Sequence, residues 1–195
     1  VGDTPVALAY NPGGRKVYSV NRGGYSVTVM DATDGSVIAA VAVAEQPTAA
    51  CYSTRSNLLY CANYISNSIS VIDGATNHWV TTIPVALHPA SLFYSPANDK
   101  VYCGHDASDS VTVIECPTNL VIQRIGVGLA PTDFVLNPVQ NCIYVANSGS
   151  SSISVLRDVI GIEEGRQPTA SGSRPAATIM RTLPAGVVAF DAMGR

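Results

Sequence analysis

Three histidines, His78, His88 and His105, are the side chains whose type suits them to move a proton or hold a metal near neutral pH. They occupy unrelated positions, and no pair has metal-ligand spacing. His88 stands before a proline in "ALHP", and His105 opens "HDASD", which also holds Asp106 and Asp109. Two acids and two histidines would suit a divalent metal if they converged. Each histidine is nonetheless expected to be an ordinary surface or loop residue. The sequence has no G-x-S-x-G elbow, no phosphate loop ending in Lys-Ser or Lys-Thr, and no H-E-x-x-H. "DATDG" at Asp31 has part of a calcium loop but lacks the distant Glu, and reads better as a capped turn. The five cysteines are odd in number and form no C-x-x-C, so buried free thiols are expected. Only Cys51 and Cys61 flank a turn closely enough to lie on adjacent strands. No catalytic residue, metal or cofactor is expected from this inventory.

Composition narrows the setting. The chain has 195 residues, of which 47% are hydrophobic, so it can build a sizeable core. Charged residues are 13%, about half the usual ~25% share. The surface must then be covered by Ser, Thr, Asn and Gly, a composition commoner in secreted and surface proteins. Net charge is −3 and no basic run exists, which argues against nucleic acid as a partner. No apolar stretch approaches the ~18 residues of a spanning helix, so no membrane insertion is expected. A chain opening at Val1, with neither a leader nor an initiator Met, is expected to be a mature product or a piece of a longer one.

The elements that must position these residues come from a repeat. Pro5, Pro47, Pro89 and Pro131 recur at steps of 42 residues. Tyr18, Tyr60, Tyr102 and Tyr144 keep the same step, as do the rows that begin at Ser26 and Val29. Each unit holds four strand-like runs; in the second they are residues 48–52, 58–63, 68–73 and 79–85. "NPGGR" and "SPANDK" read as hairpin turns, and Asp31 and Asp73 can cap the turns that follow the third strand. Four antiparallel strands per unit of about 40 residues predict an all-β fold, a β-propeller of four-stranded antiparallel blades. The Tyr and Val rows, repeated in every unit, are expected to be buried between blades. The blades are expected at about 1–42, 43–84, 85–126 and 127–160.

"LLYCANYISNSISVIDGATN" and "CIYVANSGSSSISVL" resemble the YVTN-type β-propeller repeat: a proline-led strand, Tyr-Val-x-Asn, Ser-Val-x-Val-Ile-Asp, a Thr turn and a Thr-Ile-x-Val-Gly strand. "VTTIPVALHP" fits the last part, and the resemblance covers residues 1–158. It implies a bacterial or archaeal secreted, periplasmic or surface-layer protein, a location and a scaffold more than a reaction.

The pattern stops after Val155, where Arg157 replaces the expected aspartate. Residues 161–176 read as a Gly/Pro/Ser linker. "ATIMRTLPAGVVAFDAMGR", residues 177–195, resembles the opening of a C-terminal bacterial secretion or sorting module. The fourth unit lacks its own outer strand. Either the tail supplies that strand or the chain is a fragment of a larger ring, and the fragment is the favoured expectation.

Function in a propeller sits where the repeat varies. The loops before the proline-led strand and after the second strand share one face around the axis. They carry Glu45, Gln46 and His88, then Arg22, Tyr25, Tyr64, His105, Asp106 and Asp109. Glu45, Gln46, His88, His105 and Asp106 are the candidate ligand-binding residues. The expected function is a non-catalytic secreted or cell-surface binding or structural scaffold. A protein or a cell-surface glycan is the expected partner, and self-assembly into a coat is a third use of such an array. The alternative is a periplasmic propeller enzyme or cofactor-binding protein, lactonase-like or quinoprotein-like.

Overall fold

The computed structural model describes residues 1–158 and 187–191. All sixteen elements in that range are strands, arranged as four antiparallel four-stranded sheets. Blade one is β1 (Pro5–Asn11), β2 (Lys16–Asn21), β3 (Ser26–Asp31) and β4 (Val37–Ala42). Blade two is β5 (Pro47–Ser53), β6 (Leu58–Asn63), β7 (Ser68–Asp73) and β8 (Trp79–Pro84). Blade three is β9 (Pro89–Ser95), β10 (Lys100–His105), β11 (Ser110–Glu115) and β12 (Leu120–Gly126). Blade four is β13 (Pro131–Asn137), β14 (Cys142–Asn147), β15 (Ser152–Arg157) and β16 (Val187–Asp191). The tail thus supplies the missing outer strand, with Val155 opposite Val188 and Ser152 opposite Asp191. The linker 161–176 lies outside the described residues, as does most of the sorting-like segment.

The proline-led strands are innermost: β1 packs on β5, β5 on β9 and β9 on β13. Proline has no N–H for the ladder, and the register slips at the proline end of each inner strand pair. A second bulge recurs between the third and fourth strands of blades one to three, and pushes Ile38, Val80 and Ile122 outward.

The core lies between blades. Tyr18, Val20, Val27 and Val29 of blade one meet Tyr52, Leu59, Cys61 and Ile72 of blade two. Tyr60, Ile69 and Val71 meet Val101, Cys103 and Ile114. Tyr102, Val111 and Val113 meet Ile143, Val145 and Leu156. The Tyr and Val rows are buried in the first three blades; Tyr144 and Val155 are only half-buried, because no further blade covers them among the described residues. Tyr60 donates its hydroxyl to Asn119 Oδ1 at 2.7 Å, and Tyr102 donates to Asp158 Oδ1 at 2.8 Å, each reaching into the next blade.

Cys51 and Cys61 do lie on adjacent strands, but the register pairs Cys51 with Tyr60 and Ala50 with Cys61. A one-residue offset sends the two thiols to opposite faces: Cys61 into the first interblade core, Cys51 against the second. All five cysteines are free thiols, and burial pushes Cys61 and Cys116 up to about 12.

Candidate functional site

One backbone bond, repeated in every blade, builds the face that carries the variable residues. The carbonyl of the residue before each inner-strand proline accepts the N–H of the residue that follows the second strand. The pairs are Thr4 with Arg22, Gln46 with Tyr64, His88 with Asp106 and Ala130 with Ser148. The pre-proline residue is left-handed each time, at φ 52, 51, 54 and 51. This geometry holds two variable side chains per blade side by side at the rim of the inner strands.

Across blades one to three these side chains touch in a row. Arg22 Nη2 donates to Gln46 Oε1 at 3.1 Å. The Tyr64 ring stacks on the His88 imidazole, centroids 4.3 Å apart and planes 19° from parallel. Tyr64 donates its hydroxyl to Asp106 Oδ2 at 3.0 Å, and His88 Nδ1 stands 3.6 Å from Asp106 Oδ1. Asp106 thereby grips both rings. Its hydrogen bond and its negative charge, with some burial, hold the Tyr64 phenol above its ordinary pKa. Tyr64 is therefore a hydrogen-bonding ring and not a phenolate nucleophile at neutral pH.

The candidate residues divide as follows. Gln46, His88 and Asp106 belong to the row. Glu45 is exposed beside it, its N–H donated to Ser66 Oγ at 2.8 Å. His105 does not belong, and the expectation that it lies in a surface loop is wrong. It ends β10 fully buried, and its Nε2 is 2.8 Å from Thr112 Oγ1. Asn21, Asn63 and Asn147 hold the same repeat position, and each donates its Nδ2 to hydroxyls on the third strand of its own blade. His105 is this internal clasp in imidazole form, so it takes no part in a binding surface. Desolvation pushes its pKa down to about 4.

Tyr64 and Arg22 complete the row although their types alone did not single them out. The signal was positional: both follow the clasp residue, where the four blades carry Arg, Tyr, Asp and Ser. Among the described residues no three His, Cys, Asp or Glu side chains gather closely enough to hold a metal ion. The row offers a guanidinium, an amide, an imidazole edge and a nearby carboxylate at fixed spacing. That set suits recognition by hydrogen bonds.

No protein-family model and no curated protein sequence matches the chain. Solved structures do. The chain is similar to the hydrazine synthase of Kuenenia stuttgartiensis, at 25% identity and a TM-score of 0.71 over 78% of this chain and 45% of that one. It is similar to the dihydro-heme d1 dehydrogenase NirN, solved in complex with DHE, at 17% identity and 0.66 over 77% and 34%. It is also similar to a Bacteroides uniformis protein assigned as a 6-phosphogluconolactonase, at 15% identity and 0.67 over 78% and 50%. The chain thus spans half or less of each of these structures. Together with the four antiparallel four-stranded sheets, these likenesses make the fold that of a β-propeller.

Proposed function

We propose that this chain is a non-catalytic, extracytoplasmic propeller of the YVTN type, serving as a binding scaffold. Its ligand meets the row Arg22–Gln46–Tyr64–His88–Asp106, with Glu45 beside it. The observation that carries this reading is the Tyr64–His88 stack gripped by Asp106. It fixes two amphipathic rings at a rim whose other positions differ from blade to blade. A cell-surface glycan fits that chemistry. Planar amide, guanidinium, carboxylate and imidazole groups bond pairs of hydroxyls, and a ring edge covers apolar sugar carbons. The test is an array of cell-surface glycans probed with the labelled chain. A bound glycan that weakens about tenfold or more in Tyr64→Ala supports the reading, as loss of a buried aromatic anchor does. Binding indifferent to Tyr64 and His88 refutes the site. Binding only to immobilised surface proteins moves the partner to protein.

A second reading, a periplasmic enzyme or cofactor-binding propeller, is favoured by the names of the similar structures, two of which are enzymes of nitrogen or heme chemistry. Metal analysis of protein purified without chelator separates the two. Stoichiometric metal that disappears in His88→Ala would favour the second.

A further inference from the structure

In blades three and four the left-handed residue before the inner proline is held on both sides. Its carbonyl accepts from the loop after the second strand, and its N–H donates to a side chain of the preceding blade. His88 donates to Asn67 Oδ1 at 2.8 Å, and Ala130 donates to Asp109 Oδ1 at 3.0 Å. Asn67 and Asp109 hold the same repeat position, and both are left-handed, at φ 49 and 47. What the position supplies is an oxygen on a short side chain, aimed at the next blade.

Between blades one and two that position is Tyr25, left-handed at φ 46. A tyrosine carries no oxygen near its β-carbon, and this ring stands 45% exposed. Among the described residues nothing accepts the Gln46 N–H. Its direction is nonetheless fixed. The Gln46 carbonyl accepts from Tyr64 N–H at 2.9 Å, and its φ of 51 matches His88 and Ala130. Beside it lies Arg22, whose Nη2 donates to Gln46 Oε1 and which forms no ion pair among the described residues. The Arg22 charge reaches Tyr64, where it offsets part of the rise in the phenol pKa. Two carboxylates border this place, Glu45 before Gln46 and Asp3 against Gly23. Neither bonds the Gln46 N–H or pairs with Arg22.

We propose that the row recognises an acidic glycan, whose anionic oxygen is bound jointly by the Gln46 N–H and the Arg22 guanidinium. This rests on the glycan reading of the row and adds the charge of the ligand. The anion plays the part that Asn67 Oδ1 and Asp109 Oδ1 play at the next two junctions. A guanidinium beside a fixed N–H holds it by charge-assisted hydrogen bonds. Tyr64, held on the Gln46 carbonyl, then meets the sugar ring. Asp106 gives the far end of the row the opposite charge, so only the Arg22 end accepts an anion. Glu45 and Asp3 repel further acid groups, which favours a sparsely charged sugar over a dense polyanion. The shared chemistry is an oxyanion, from the carboxylate of a hexuronic acid or from a sulfate ester.

Calorimetric titration of the 195-residue chain with trigalacturonate and with neutral galactotriose tests this. Trigalacturonate should bind about tenfold or more tightly, the factor a hydrogen bond to a charged group supplies. In nitrogen–proton spectra the Gln46 amide proton should move downfield with the acidic sugar alone. Arg22→Gln should erase the preference. Tyr25→Asn should erase it too, because it restores the repeat's own oxygen to the Gln46 N–H. That variant also suits the left-handed backbone better and should raise the unfolding midpoint, so lost binding is not lost folding. Tighter binding of 6-sulfated galactotriose than of trigalacturonate supports the oxyanion site and assigns sulfate as its source. An acid preference that survives Arg22→Gln or Tyr25→Asn overturns the proposal. So does polyglutamate bound as tightly as trigalacturonate, which moves the partner to acidic protein. Equal binding of acidic and neutral sugars, weakened in Tyr64→Ala, overturns it and leaves the glycan reading standing. Binding of no sugar overturns both.

Discussion

His105 shows how a single residue can carry a fold-level duty and a pH dependence together. Its pKa, near 4 in the folded chain because the ring is desolvated, lies below the ~6.5 of an exposed imidazole. Between those values the unfolded chain binds the proton and the folded chain does not. The stability linked to the neutral ring is whole above about pH 6.5 and drains as pH falls toward 4, by up to about 3 kcal/mol. His105→Asn restores the residue the other three blades use and removes this titration. Urea unfolding at pH 7 and pH 4 should show the parent chain losing about 2–3 kcal/mol more than the variant. Equal losses would mean that His105 is solvated. The sequence disclosed that His105 replaces an asparagine, but not that the position is buried. Asn at a strand end reads as turn chemistry. Only the hydroxyls five and seven residues on, such as Ser68 and Ser70 after Asn63, betray an internal clasp.

At the scale of elements the hairpins were legible almost to the residue. The runs expected in the second unit at 58–63 and 68–73 coincide with β6 and β7, since alternation and flanking turn residues fix both ends. The outer strand of blade four was not assignable, because its pairing partner lies some thirty residues away and no periodicity announces it. The left-handed backbone before each inner proline was equally hidden. It falls on Thr, Gln, His and Ala, types that do not advertise it. Ala130 isolates its energetic cost, because its backbone is held on both sides: its N–H donates to Asp109 Oδ1 at 3.0 Å and its carbonyl accepts from Ser148. A β-carbon in that region costs about 1–2 kcal/mol, and glycine gives back part of the relief as unfolded-state entropy. Ala130→Gly should therefore stabilise by up to about 1 kcal/mol, and Ala130→Val should destabilise by about 2. The midpoint of denaturant unfolding reads both signs. A glycine variant less stable than its parent would contradict the left-handed assignment.

For the whole molecule, the main contacts between sheets among the described residues join neighbouring blades, so stability is close to a sum of blade terms and junction terms. Among the described residues, blades two and three each share two junctions, and blades one and four share one. Local opening should follow that count, since regions with fewer buried contacts open at lower free energy. Amide hydrogen exchange in dilute protein is expected to be slowest in β6, β7, β10 and β11, the strands that carry Leu59, Ile69, Val101 and Ile114 into two cores. It should be faster in β2 and β3 of blade one and in β14 and β15 of blade four. Protection that is uniform across the four blades would show instead that they unfold as one unit.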